Sequence, residues 1–458
     1  MSYFLTAVSV IGCIAIAYRA MRATKNEDFI FSRGINGFVS GLSSGATANS
    51  GFIVIGAVGM GYTMGYASLT YPLAWLVGDI FFWILFAPRV FKKVNAEGQC
   101  SVPEILARHN DWATIRKVAA FIIVIFLGVY LVAQLSSAAK AIEPQIEISN
   151  TAVIVLFALF VATYTAMGGF KASVWTDVAQ AVGMLLVVGG VNWWCITEYG
   201  NFNVLSRKLE EVSPELVSLA SSQTTTGIIS MLGFAFVAFG YGLSQPQVTT
   251  RIMALAKSSD VIKAACTHIA FVQATWIGMC IIGMYLRIHS PGLGDPETAL
   301  SSVALEFGPV WGTLVLVGMF SAIISSADSL LLASSTALSW DLLPIAPNSQ
   351  SNKSTHRVCV FFIAGIAAYI ATVAPGSVFT LSVLASAGLA ASIGTAMAVA
   401  LLRLQTSQIC ACLSMLAGLA AAVAWRLLTE NYLSLDAAVG CTISMFVILA
   451  GRLLAKDS

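Results

Sequence analysis

The sequence predicts an all-α membrane protein with about thirteen membrane-spanning helices. Three observations carry that expectation. Of the 458 residues, 58% are hydrophobic and only 10% charged, with a mean hydropathy of +0.84, a composition that excludes an ordinary soluble globular domain. Apolar runs of about 18 residues or more recur along the chain. Lysine and arginine segregate strongly between alternate loops.

The runs, bounded by charged residues, glycine or proline, place spans near 2–20, 38–63, 66–91, 117–145, 149–169, 172–198, 226–246, 260–288, 309–342, 357–375, 377–404, 407–428 and 434–453. With this topology nineteen of the 24 Lys and Arg residues fall on one side, and only Lys140, Arg207, Lys208, Arg287 and Arg426 on the other. Positive charge is retained on the cytoplasmic side, so the N-terminus is expected outside and the C-terminus in the cytoplasm, in a multi-pass protein of the cell membrane. The run at 2–20 has no basic residue before it and several after it, and reads as a retained span rather than a cleaved leader. The chain 1–458 is expected to be one transmembrane domain, because no loop is long enough to hold a soluble one.

Several functional classes are excluded at this level. The nine cysteines show no CxxC or Cys/His ligand spacing and read as buried apolar thiols rather than a disulfide or zinc framework. A net charge of +2 fits cytoplasmic loops facing anionic lipid and gives no footprint for nucleic acid. Four histidines supply no metal or nucleophile constellation for an enzyme.

The most informative stretch is SAIISSADSLLLASST at 321–336. Ala322, Ser325, Ser326 and Ser329 fall at i, i+3, i+4 and i+7, so a helix sets them on one face, with Asp328 beside Ser325. A carboxylate at bilayer depth costs about 2.5–3.5 kcal/mol even on lenient scales. It calls for a cation, a proton or a water-filled cavity, and the sequence shows no cationic side chain at the same depth.

The span at 38–63 is rich in glycine and carries Ser43, Ser44, Thr47, Asn49 and Ser50. Close helix packing explains glycines, but the inserted polar groups favour a break whose freed carbonyls can hold an ion or solute. Five spans later, FVAFGYGLSQPQVTTR at 236–251 again combines glycines, aromatics and a proline. Two five-helix halves of opposite orientation follow, 38–198 and 226–404, flanked by the extra span 2–20 and two extra spans at 407–453. This is the leucine-transporter-type 5+5 inverted repeat with discontinuous helices, whose central site lies at the repeat interface.

GGFKASVWTDVAQ at 168–180 opens the sixth span, with Asp177 about 8 Å inside its cytoplasmic end at 1.5 Å per residue; an interfacial cap and a site residue are both open readings. Asp79 sits in an apolar setting where a solute, a proton or a hydroxyl would serve as partner, and His268 reads as a satisfied or interfacial histidine rather than a proton relay. Gln134, Gln273, Trp276 and Ser386 are expected near the centre.

Four segments, SSGATANSG at 43–51, GGFKASVWTDVAQ at 168–180, SQPQVTTRIMA at 244–254 and SAIISSADSLLLASSTALSWDLL at 321–343, resemble the sodium/solute symporters, which include bacterial proline permease and the sodium-coupled galactose and sialic acid transporters. The resemblance implies sodium-coupled symport of a small organic solute by alternating access. It implies a sodium site between the second and ninth spans, formed by carbonyls of Ala46, Asn49 and Ala322 and hydroxyls of Ser325 and Ser326. Neutral oxygens suit a hard monovalent cation. Asp177 matches a family aspartate tied to sodium binding or release. A second site in sialic acid transporters uses that aspartate with positions matching Ser325, Asp328 and Ser329.

Asp328 departs from that pattern. Two carboxylates near one site either hold a second sodium or share a proton, because close like charges do not both ionise cheaply; the expected coupling ions are one or two sodium ions, with proton coupling as the alternative. A second departure is Ala48, where proline permease carries an acidic residue, so proline does not follow from the resemblance. Ser50, Gly51, Phe52, Ile53, Tyr71, Trp75, Tyr130, Gln134, Phe239 and Tyr241 are the expected solute contacts. The other reading is a transporter-like solute sensor; ending at Ser458 soon after the last span, the chain would need a separate signalling partner. The sequence specifies neither solute nor oligomeric state.

Overall fold

A computed structural model describes residues 30–107, 113–144, 148–219, 224–304, 306, 308–343, 349–374, 376–404, 406–429 and 435–454. The expected span at 2–20 lies outside the described residues. Among them nine helices are long and apolar enough to cross a membrane. Large apolar side chains such as Phe81, Ile84, Leu156, Leu186, Phe362 and Phe446 lie exposed on the outside of the bundle, where lipid is the solvent that accepts them.

The expected span at 38–63 is interrupted. Helix α1, Gly37–Ala48, is capped at its start by the Asn36 side chain, which accepts from the Val39 N–H. It gives way to a π-helical segment, Phe52–Ala57, and then α2, Val58–Met64. The expected span at 66–91 becomes α3, Thr70–Leu85, and α4, Ala87–Glu97, whose Pro88 sits at the start where a missing N–H is harmless. A short helix, α5, Val102–Leu106, and the long α6, Ala113–Ile142, follow.

Helix α7, Asn150–Tyr199, has 50 residues and would extend about 75 Å if straight, more than twice the thickness of a hydrocarbon core. It bends at Gly169, with φ 60° and ψ −164°, a conformation open essentially only to glycine. The two spans expected at 149–169 and 172–198 are its two arms. After the surface helix α8, Phe202–Val212, helix α9, Thr224–Ser244, ends where Gln245 turns extended, and α10, Pro246–Met253, begins on a proline.

The remaining helices are α11, Asp260–His289; α12, Ala299–Val303; α13, Gly308–Thr336, with a π-helical end at Ala337–Leu342; α14, Ser349–Val373; α15, Val378–Leu389; α16, Thr395–Leu401; α17, Gln408–Leu428; and α18, Asp436–Leu454. Helix α1 lies between α7, α11 and α13. Its approach to α11 is so close that a Cβ at Gly41 would stand 2.4 Å from the Ala264 carbonyl oxygen. Close packing therefore explains glycine at this position. The chain just before α1 pairs with the chain just after α10 through Gly34 and Ile35 N–H groups donating to the Ala254 carbonyl at 2.9 and 3.1 Å, tying the two interrupted helices together.

Candidate functional site

The break after α1 frees carbonyls by redirecting their donors. Asn49 leaves helical geometry at φ −81°, ψ 71°. The Ser50 N–H donates to the Ala48 carbonyl at 3.0 Å and the Gly51 N–H to Gln134 Oε1 at 2.8 Å, so the carbonyls of Ala46 and Thr47 lose their i+4 helical donors. Ser326 of α13 reaches across and donates to the Thr47 carbonyl at 2.8 Å. The Asn49 amide donates to Thr275, while Asn49 Oδ1 is buried without a hydrogen-bond partner among the described residues. Ala46, Ala322, Ser325 and Ser326 are all buried at this junction. The segments expected to share a sodium site thus meet, through Thr47 and Ser326.

A second cluster lies beside it. Asp177 is fully buried and accepts from Ser43 at 2.6 Å, from Thr47 at 3.2 Å, from Arg251 at 3.1 Å and from Ser325. The reading of Asp177 as an interfacial cap does not describe this environment. Arg251 was assigned to a cytoplasmic loop by its place in the sequence, and the inference that no cation lies at this depth is corrected here. Proline-started α10 folds inward and buries the guanidinium, 1% exposed. Its Nη2 donates to Ser173 at 2.9 Å and Ser329 at 2.7 Å as well as to Asp177, its Nε to Ser43 at 3.3 Å, and its face covers the Phe170 ring at 5.3 Å. Such multiple charge-assisted bonds compensate burial of an ion pair.

The three residues grouped as a second cation or proton site therefore divide. Asp177 and Ser329 share Arg251, whereas Asp328 accepts from Thr165 at 2.6 Å, and its Oδ2 has no hydrogen-bond partner among the described residues.

Beside the break a narrow cavity is lined by Ala48, Phe52, Ile53, Trp75, Tyr130 and Tyr241 together with Phe234, Trp276, Ser382 and Ser386. Trp75 meets Tyr241 and Trp276 edge-on at 5.0 and 5.4 Å, and Phe52 meets Trp276 at 5.1 Å. Trp75 Nε1, Trp276 Nε1, the Tyr241 hydroxyl and Ser382 Oγ are buried without hydrogen-bond partners among the described residues.

Of the expected solute contacts, Ser50 bonds Tyr130 at 3.0 Å, Gly51 and Gln134 hold the break, and Tyr71 packs behind the cavity on Phe234 at 5.1 Å. Phe239 is elsewhere: its ring packs on Phe86 at 5.5 Å and lines an outer groove with α18 residues. At 100° per residue, Val237 and Tyr241 share the cavity face of α9, and Phe239 points away from it. Phe234 and Ser382 were missed. Phe234 stands two turns before Tyr241 on that same face, a periodicity that was available in the sequence.

An interrupted helix, buried ion clusters and an aromatic-lined cavity meeting within a helical membrane bundle define a secondary transporter of the leucine-transporter type. The chain belongs to the sodium:solute symporter family, whose profile matches residues 29–418. Its fold is similar to that of a Na+-coupled sialic acid symporter in a substrate-bound outward-open state, with a TM-score of 0.82 over 99% of this chain and 97% of that chain at 15% identity. MhsT in complex with L-phenylalanine aligns with a TM-score of 0.59 over 92% of this chain and 99% of that chain at 17% identity. In sequence it is similar to the sodium/proline symporter of Haemophilus influenzae, 26% identical over 444 residues covering 92% of this chain and 87% of that protein. The osmoregulated proline transporter of Bacillus subtilis is 25% identical over 429 residues, covering 91% of this chain and 86% of that protein. The activity is sodium-coupled symport of a small organic solute in a multi-pass membrane protein, not catalysis.

Proposed function

We propose that sodium travels in the junction of α1 and α13, held by the freed Ala46 carbonyl, Asn49, the Ala322 carbonyl, Ser325 and Ser326, and that the solute travels in the aromatic cavity beside it. The donor set fits: neutral carbonyl and hydroxyl oxygens replace a hydration shell without trapping the ion. Halves 38–198 and 226–404 move against each other, with the N-terminus outside and the C-terminus cytoplasmic. Sodium drives the solute by its differential affinity for the two states. Membrane potential adds about 2.3 kcal/mol per charge per 100 mV.

The cytoplasmic side supports inward release next to Arg251. A second cavity is lined by Phe170, Thr250, Arg251, Ser101 and Asp341, and it is closed by Asp341, which accepts from Arg116 at 2.7 Å and Ser101 at 2.8 Å. The fixed cation Arg251, already bonded to Asp177 and Ser329, favours a single transported sodium over two.

The observation that carries the solute class is the pairing of aromatic walls with two indole N–H groups and the Ser382 hydroxyl that lack hydrogen-bond partners among the described residues, with no charged side chain in the lining. This suits a compact solute with an apolar or weakly hydrated body and one carboxylate or carbonyl to accept those donors. Proline, transported by the named relatives, is the first candidate, although Ala48 lines the cavity and offers no carboxylate for its amine. Thermal stabilisation by a panel of proline, other amino acids, monocarboxylates, methylated ammonium zwitterions and hexoses, each with sodium or potassium, is the test. A carboxylate-bearing hit seen only in sodium supports the assignment. A hexose hit, or stabilisation indifferent to sodium, overturns it, and counterflow of the hit in proteoliposomes separates transport from sensing.

A further inference from the structure

On a neighbouring face of α1, reached from Ser44 rather than Ser43, lies a third polar cluster. Asp79 of α3 and His268 of α11 are each 2% exposed, with His268 Nε2 3.4 Å from Asp79 Oδ2. Asp79 Oδ2 has no hydrogen-bond partner among the described residues. The other ring nitrogen, Nδ1, lies 2.9 Å from Ser44 Oγ, and Ser44 Oγ also lies 3.0 Å from the Gly41 carbonyl. The Trp83 ring covers the imidazole at 5.2 Å.

Counting protons gives two complete arrangements. In one, the Ser44 hydroxyl donates to Nδ1 of a neutral imidazole whose Nε2–H faces the Asp79 carboxylate, leaving a net charge of −1. In the other, one added proton makes the imidazolium: Nδ1–H donates to Ser44 Oγ, the Ser44 hydroxyl turns to the Gly41 carbonyl, and Nε2–H faces the carboxylate, leaving no net charge. Both give Nδ1 a hydrogen-bond partner in Ser44 and set Nε2–H beside the carboxylate, and they differ by one proton and the direction of one hydroxyl. Burial of a net charge is costly, so the enclosure favours taking the proton.

We propose that Asp79, His268 and Ser44 form a buried proton-binding site whose occupancy is read by the first interrupted helix. Ser44 follows Ser43, which is bonded to Asp177 and Arg251, so reorienting Ser44 acts on the helix that carries the ion and solute junction. The titratable and charged groups on the packed helices are few. Tyr241 is carried by α9, which packs on α3; Asp177 of α7 and Arg251 of α10 act across Ser43; Arg89 and Lys92 of α4 are exposed and Lys93 is paired with Glu97. Asp260 and Lys263 lie near each other at the start of α11 itself.

Trp83 provides a built-in reporter, because a protonated imidazole quenches an adjacent indole. Purified protein, free of sodium and solute, is titrated by tryptophan fluorescence between about pH 5 and 8, the range of histidine charge change. The expected result is a single-proton transition, abolished in His268→Gln and displaced toward acid by about tenfold in proton concentration in Asp79→Asn, where the imidazolium loses its counter-ion. Trp83→Phe, which retains the proton site, loses most of the amplitude and serves as the second variant if either other substitution does not fold. A flat wild-type titration, or an unchanged transition in folded His268→Gln or in Trp83→Phe, overturns the proposal. The link to α1 is read by repeating the titration at saturating sodium. A shift of about threefold or more in proton concentration is expected from reciprocal linkage, and an unshifted transition refutes that link. Loss of every sodium response with the proton transition intact would instead count against the sodium assignment.

Discussion

Two clusters flank adjacent serines of α1, and they solve the problem of a buried carboxylate differently. At Ser43, Asp177 is surrounded by donors from three helices and neutralised by Arg251 at 3.1 Å. At Ser44, Asp79 faces only a histidine at 3.4 Å, with one carboxylate oxygen lacking a hydrogen bond among the described residues. Consecutive residues on a helix point about 100° apart, so two neighbouring hydroxyls serve two separate environments. The first holds a permanent, covalently tethered cation. The second holds one that a proton creates or removes. The difference shows how one helix can have a fixed electrostatic anchor and an adjustable one a single residue apart.

The comparison breaks most severely at Arg251. Arg251→Gln leaves Asp177 buried with hydroxyl partners alone, and removing one member of a buried pair costs about 3–5 kcal/mol; the expected result is a large fall in melting temperature and loss of uptake. The double substitution Arg251→Gln with Asp177→Asn is expected to recover most of the thermal stability, and independent, additive losses in that cycle would show that the two side chains are not coupled.

Gly41→Ala tests whether both clusters depend on the seat of α1. Its Cβ would collide with backbone atoms of Ala264 at 2.4 and 2.9 Å, and such overpacking costs about 1–3 kcal/mol. A lower melting temperature is expected together with weakened sodium response, and a change confined to stability would separate the helix seat from function.

Ser326→Ala is expected to be smaller and more specific. It removes the hydroxyl that meets the Thr47 carbonyl at 2.8 Å, a bond worth about 1 kcal/mol, so the sodium concentration for half-maximal stabilisation should rise on the order of five- to tenfold with folding retained. Sodium titrations of melting temperature measure this directly.

The smallest effect is expected at Asp328. It has a bond from Thr165 at 2.6 Å and no contact with Arg251 at hydrogen-bond distance, and Asn can keep the Thr165 bond. Asp328→Asn should change melting temperature by less than the equivalent of about 1 kcal/mol, in contrast to Asp177→Asn. Equal losses from the two would mean that the carboxylates act as one site.

Much of the architecture was legible in the sequence. Lipid accepts only apolar, internally hydrogen-bonded segments, so the spans announce themselves, and the two-arm reading of 149–198 matches the bend at Gly169. The polar insert at 43–50 marked the interruption, because hydroxyls and an asparagine in an apolar helix signal redirected backbone bonds, as Ser50, Gly51 and Gln134 show. Phe239 was expected in the cavity from its place in the seventh span, where the resemblance points to aromatic contacts; the helical phase of Phe234, Val237 and Tyr241 sorts it to the outside.

What the sequence by itself determined was which segments are apolar and which of them carry oxygen ligands, since both follow from the cost of polar groups in hydrocarbon. Only the tertiary structure decided which charge meets which. Arg251 looks like a loop cation until α10 turns inward and sets it on Asp177, and Asp79 and His268 are unrelated residues until α3 and α11 pack side by side. Pairings between distant helices depend on their rotation and depth relative to one another, and no local pattern in the chain encodes either.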